Sequence, residues 1–181
     1  NAAIVVRLRG FFDIFTGIGI VHGYYGRFGQ LLLGATLAAI GLSWLLARRT
    51  NPTARALIFA GLVQLATIES ASLVKGVFGR LRPYQLLEHG DWSRVWFAGG
   101  TSFPSGHVAF FWGLFLPLAY LYPKYRIPLL VVPVFIAFAR IDENVHFLSD
   151  VLGSIALAAL VTLVAAVVFG RWIRPSASQG S

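Results

Sequence analysis

The chain contains no cysteine and no methionine, and only 12% of its 181 residues are charged, about half the roughly 25% of an average soluble domain. Without thiols, disulfides, thiolate metal sites and cysteine nucleophiles are excluded. Acidic residues are scarcer still, 7 against 15 basic ones, for a formal net charge of +8. The chain also lacks a polar linker long enough to divide it, so a single domain is expected over residues 1–175, followed by a disordered polar tail at 176–181. It begins at Asn1, and a few residues are expected to precede it in the natural protein.

What is present is apolar: 57% of the residues are hydrophobic and the mean hydropathy is +0.73. The apolar runs recur along the whole length, which a single cleavable leader does not explain. The fold class this implies is all-α, a polytopic transmembrane helical bundle. Five spans are predicted against the ~20 residues a bilayer requires: Gly29 to Ala47, Ala56 to Val74, Pro104 to Tyr122, a shorter one from Tyr125 to Arg140 with a kink at Pro133, and Val145 to Phe169, long enough to cross with some tilt. The Gly-rich, aromatic N-terminal stretch, residues 10–28 in particular, reads either as a further span or as a helix lying at the interface. From Lys75 to Phe103 the chain leaves the bilayer, carrying Trp92, Trp96, Phe97 and Phe103 at headgroup level.

Outside the motifs, cations cluster in three places: Arg48, Arg49 and Arg55; Lys124 and Arg126; Arg171 and Arg174. Five alternating crossings put all three on one side, which the positive-inside rule makes cytoplasmic. No basic stripe with interleaved aromatics is visible, so nucleic acid is not the expected partner.

Three polar windows then share the opposite face: Lys75 to Pro83, Pro104-Ser105-Gly106-His107, and Arg140 to Asp150. Their residue types suit an anion. Lys75, Arg82 and Arg140 supply three positive charges, and Arg can take two phosphate oxygens at once. Ser105 and Gly106 stand at a predicted helix start, where unpaired N–H groups point at a ligand, with Pro104 in the first turn. His146 and Asp150, four apart, would share a helix face. A carboxylate on one ring nitrogen leaves the other able to attack phosphorus. Asn144 is expected to cap that helix and put His146 in its first turn, and His107 is left as the proton donor. Considered alone, a His with Asp four residues on is more often a structural hydrogen bond. Lys or Arg at a span end is usually snorkelling.

Arg80, beside Gly79 and Leu81, reads as a solvated loop charge in preference to a phosphate ligand. His22 and His89 have no such surroundings. Glu69 is read as ion-paired with a cation such as Lys75, a chemical role being the alternative. No metal is expected, because three converging cations would repel a divalent ion.

Lys75-x6-Arg82-Pro83, Pro104-Ser105-Gly106-His107 and Arg140-x5-His146-x3-Asp150, in that order, resemble the three signature motifs of the type 2 phosphatidic acid phosphatase superfamily. The resemblance is close from Lys75 to Asp150 and loose over the flanking helices. It implies that His146 is a nucleophile forming a phosphohistidine, that Asp150 orients it, and that His107 protonates the leaving group. It assigns Lys75, Arg82, Ser105, Gly106 and Arg140 to the phosphate. Ala139 stands where the family usually has Ser, which removes one secondary hydrogen bond. The six spans common in the family favour counting residues 10–28 as the first. The soluble haloperoxidase branch does not suit a membrane-embedded chain.

The function these features predict is metal-independent hydrolysis of a lipid phosphate or lipid diphosphate by an integral membrane protein. It would sit in a bacterial-type inner membrane with its site on the outer, periplasmic face, and would need neither cofactor nor obligate protein partner. The alternative is a non-catalytic anion or headgroup binder, or a transporter. Phosphatidic acid, phosphatidylglycerol phosphate, a polyprenyl diphosphate and lipid A all fit one phosphate cradle.

Overall fold

A computed structural model describes residues 29–47, 51–89 and 91–173. The N-terminal segment 10–28, the tail 176–181, His22 and the cations Arg48, Arg49 and Arg174 lie outside the described residues. Within them the chain is helical, with no strand. The helices are α1 (Gly29–Ala47), α2 (Pro52–Phe78), α3 (Pro83–His89), α4 (Gly106–Leu121), α5 (Arg126–Asp142) and α6 (Leu148–Ile173), with a single 3-10 turn at Pro123–Tyr125 before α5.

The local signals for these boundaries are readable. The Asn51 side chain accepts from the N–H groups of Thr53 and Ala54 at 3.0 and 3.2 Å. Pro52 occupies the first helical position, where its missing N–H costs nothing. Gly79, at φ 48, ends α2 in the left-handed conformation and donates to the Lys75 carbonyl. Helix α5 runs on through Pro133, whose carbonyl accepts from Trp112 Nε1 of α4 at 3.2 Å. Pro104 falls before α4 instead of in its first turn, because Ser105 takes the capping position and the helix begins at Gly106.

Helix α4 is the centre of the bundle, in contact with α2, α5 and α6, while α2 also packs on α6. The seams are built from small residues. Ala54, Ala60, Ala109, Ala119 and Ala158 are at most 1% exposed, and a Cβ on Gly61 would run into the Gly34 carbonyl, so α1 and α2 meet backbone to backbone. Lipid-embedded helices associate by this close van der Waals packing, since lipid tails supply no hydrophobic drive. The outward faces match: Leu160, Leu163, Val164, Val167 and Val168 of α6 are all more than half exposed. In water such a jacket would be an aggregation surface; against acyl chains it is the solvent-facing side. The protein is therefore an integral membrane helical bundle. Three helices, α1, α6 and α2 with its extension to Glu88, are long and apolar enough to cross a bilayer. The shorter α4 and α5 have 16 and 17 residues.

The bundle has two distinct ends. At one, Arg55 Nη1 donates to the Trp172 carbonyl at 2.9 Å, and Phe59, Tyr120, Leu121 and Ile173 share a cluster. In the sequence Arg171 flanks Trp172, and Lys124 and Arg126 follow Leu121 by three and five residues. At the other end of α2, which at 27 residues is about 40 Å long, the three polar windows meet.

Candidate active site

Ser105 and Asp150 hold the second and third windows together. Ser105 N–H donates to the Asp150 carbonyl at 3.3 Å, and Ser154 Oγ lies 3.0 Å from the Ser105 carbonyl and 2.7 Å from that of Asp150. The starts of α4 and α6 are thus side by side, and His107 and His146 belong to the same end of the bundle. The first window joins them through Arg80 Nη1 on Asp150 Oδ1 at 2.6 Å, while Lys75 Nζ reaches the Thr101 carbonyl, three residues before Pro104, at 2.6 Å.

Asp150 is fully buried and heavily engaged. Its Oδ2 accepts from Ser102 Oγ at 2.5 Å and from the Phe147 N–H at 2.9 Å. It lies at the third position of α6, so the carboxylate folds back over the helix start as in half of a capping box, and the helix dipole favours its charge there. This corrects the expected cap. Asn144, at φ 55, is the left-handed residue that follows the end of α5, and its N–H donates to the Ile141 carbonyl. His146 therefore precedes α6 instead of occupying its first turn. The pairing survives because the folded-back carboxylate meets the ring: His146 Nδ1 lies 3.5 Å from Asp150 Oδ2, longer than a full hydrogen bond.

His146 is 4% exposed. Burial pushes its imidazole below the usual 6.5, Arg82 and Lys75 push the same way, and Asp150 opposes them. The field of Arg82 also reaches Lys75 and Arg140, so the predicted cations act on one region. Arg82 caps α3, its carbonyl accepting from Gln85 and Leu86 ahead of Pro83. Arg140, at the end of α5, pairs with Glu143.

Ser105 Oγ and Arg140 Nε are buried with no hydrogen-bond partner, the condition expected where a polar ligand belongs. Arg55 Nε and Gln64 Oε1, away from the windows, and Arg80 Nε, beside Asp150, share it, so the condition marks the site only where it falls on residues singled out for phosphate. A Cβ on Gly106 would meet nothing within 4 Å, leaving the space beside the start of α4 open.

The reading of Arg80 as a solvated loop charge is wrong. Arg80 is 8% exposed. Its guanidinium lies between the rings of Trp96 and Phe147, at 4.3 and 4.0 Å from their centroids. The backbone around it is pinned too, with Leu81 N–H on the Val95 carbonyl, Gly100 N–H on that of Gly79, and Ser102 N–H on that of Arg80 itself. Ser102 and Ser149, the latter 2.7 Å from Arg80 Nη1, were missed as well. A hydroxyl two positions before Pro104, in a chain this apolar, was the available signal for Ser102.

Residues 53–174 match the profile of a family described as the PAP2 superfamily. Two proteins named lipid A 1-phosphatase are similar. One, from Rhizobium johnstonii, is 31% identical over 174 residues, covering 91% of this chain and 66% of that protein. The other, from Rhizobium etli, is 29% identical over 160 residues, covering 85% of this chain and 64% of that protein. The chain thus spans just under two thirds of the length of these relatives. No solved structure matches it.

Proposed function

The chain belongs to the PAP2 superfamily, and from that premise we propose that it hydrolyses a lipid phosphate or lipid diphosphate through a phosphohistidine on His146. The observation that carries the reading is a buried imidazole, held toward its neutral form by burial, with one nitrogen facing Asp150 and the field of Lys75 and Arg82 around it.

In this mechanism His146 Nε2 attacks phosphorus while Asp150 keeps the proton on Nδ1. The phosphorus–oxygen ester bond breaks, and the departing oxygen takes a proton from His107, giving the dephosphorylated lipid and phosphohistidine. Water then gives a proton to His107 and attacks phosphorus, the phosphorus–nitrogen bond breaks, and inorganic phosphate leaves. Lys75, Arg82 and Arg140, with Ser105 and the N–H groups at the start of α4, stabilise charge on the oxygens. Three cations supply the charge neutralisation that a divalent metal provides elsewhere, so turnover should be insensitive to chelators.

The names of the relatives make the 1-phosphate of lipid A the first substrate to try, within a panel that includes phosphatidic acid, phosphatidylglycerol phosphate and a polyprenyl diphosphate. The cation-bearing end would face the cytoplasm and the site the periplasmic side of an inner membrane. Substituting His146→Ala should lower phosphate release by about 10³-fold or more, with the folded yield in detergent unchanged. Retained turnover would remove the nucleophile. Solute flux through vesicles without hydrolysis would replace the enzyme with a transporter.

A further inference from the structure

Arg80 is buried, and its guanidinium donates to Ser149 and Asp150 instead of to solvent. One nitrogen, Nη1, serves both Ser149 Oγ and Asp150 Oδ1, so the guanidinium engages the carboxylate through the oxygen opposite the one facing His146. Its guanidinium carbon lies over two aromatic rings, those of Trp96 and Phe147. Planar stacking is a property of Arg that Lys does not share. Trp96 is itself seated by edge contacts with Phe78 and Phe103, at 5.7 and 5.4 Å between centroids. A Cβ on Gly100 would run into the Arg80 carbonyl, so the backbone of this segment packs directly on its neighbour. These contacts of Arg80 come from the segment between α3 and α4 and from the start of α6, and the ion pair of Arg80 is with Asp150.

We infer that Arg80 is a positioning residue for the phosphatase reaction: clamped between Trp96 and Phe147, it holds Asp150 Oδ1 so that Oδ2 is presented to the His146 ring. The inference rests on the proposed role of His146. With two oxygens and a free torsion, a carboxylate alone can rotate away from an imidazole; with Oδ1 tied to Arg80 and Oδ2 to Ser102 and the Phe147 N–H, it has one orientation. Arg80 also compensates a charge that would otherwise be buried alone.

The test is kinetic, on the full chain in detergent micelles with a lipid phosphate substrate, alongside His146→Ala. Arg80→Ala should lower kcat by about 100-fold, the loss expected for an ångström-scale misplacement, while KM and the inhibition constant of inorganic phosphate stay within about threefold of wild type. A cavity of about 450 Å³ lined by Arg80, Trp92, Trp96 and Phe147 opens beside the side chain, so added guanidinium ion should restore part of kcat in Arg80→Ala and none in His146→Ala. Arg80→Lys, which keeps the charge and protects folding, should also lose kcat at unchanged phosphate affinity, because an ammonium cannot fill the stack.

If kcat is unchanged in both Arg80 variants, or phosphate affinity falls in parallel with kcat, the positioning role is overturned; the second result would make Arg80 a phosphate ligand. If Arg80→Ala does not fold, Arg80→Lys decides by the same criteria. Activity retained by His146→Ala would instead defeat the underlying mechanism, whatever the Arg80 variants do.

Discussion

Asp150 takes four neighbours on two oxygens, Arg80, Ser102, the Phe147 N–H and the His146 ring, with no exposed surface. Removing it should therefore do two separable things. Asp150→Asn keeps the shape but loses the charge that fixes the imidazole tautomer, and should reduce kcat by about 10²- to 10⁴-fold. Either change leaves Arg80 as a buried, uncompensated cation at a cost of about 3–5 kcal/mol in stability, and Asp150→Ala, which also removes the acceptor of Ser102 and of the Phe147 N–H, should show the larger fall in the midpoint of thermal unfolding in micelles. The acid dependence follows from His146, whose folded-state pKa lies below 6.5 mainly through burial. Both folded and unfolded chains carry a neutral ring above 6.5. As pH falls through 6.5 toward the folded value the unfolded chain binds the proton first, so the contribution of His146 to stability is full above 6.5 and is lost below it. The nucleophile stays neutral over that same window, and nitrogen-detected titration of a His146-labelled sample should give a midpoint below 6.5. At this scale the motif residues were legible because their chemistry is local to short windows. Arg80 was not, since its ionic partner is 70 positions away and nothing adjacent to it in sequence announces the aromatic stack.

The helices were legible where a cap or a run of apolar residues fixed them. Asn51-Pro52 and Gly79 bound α2 by side-chain capping and a left-handed stop, and replacing Asn51 by Ala should cost about 1 kcal/mol without altering KM, as measured by thermal unfolding and steady-state kinetics. The start of α6 was misplaced for a physical reason. Asn144 is suited both to capping a helix and to ending one in the left-handed region, and here it follows α5. The cap-like carboxylate of α6 is instead Asp150, reaching back from the third helical position to the Phe147 N–H. Tertiary ties from Ser105 and Arg80 fix that choice, and no local pattern encodes them.

Over the molecule as a whole, the separation of a cation-bearing end from a polar-window end was legible from alternation alone, and the contact between Arg55 and Trp172 agrees with it. Which leaflet each end occupies is a prediction. A cysteine introduced at the exposed Trp92 position should react with an impermeant thiol reagent added outside intact cells, whereas one at the exposed Lys124 position should react only after permeabilisation. The reverse pattern would invert the orientation. The central claim, however, is chemical: a lipid phosphate is cleaved by way of a covalent bond to His146. Rapid quenching of enzyme mixed with radiolabelled substrate should trap an acid-labile, base-stable phosphoryl group that maps to His146 and is missing from His146→Ala. Steady turnover with no trapped label, or label recovered on any other residue, would contradict the account.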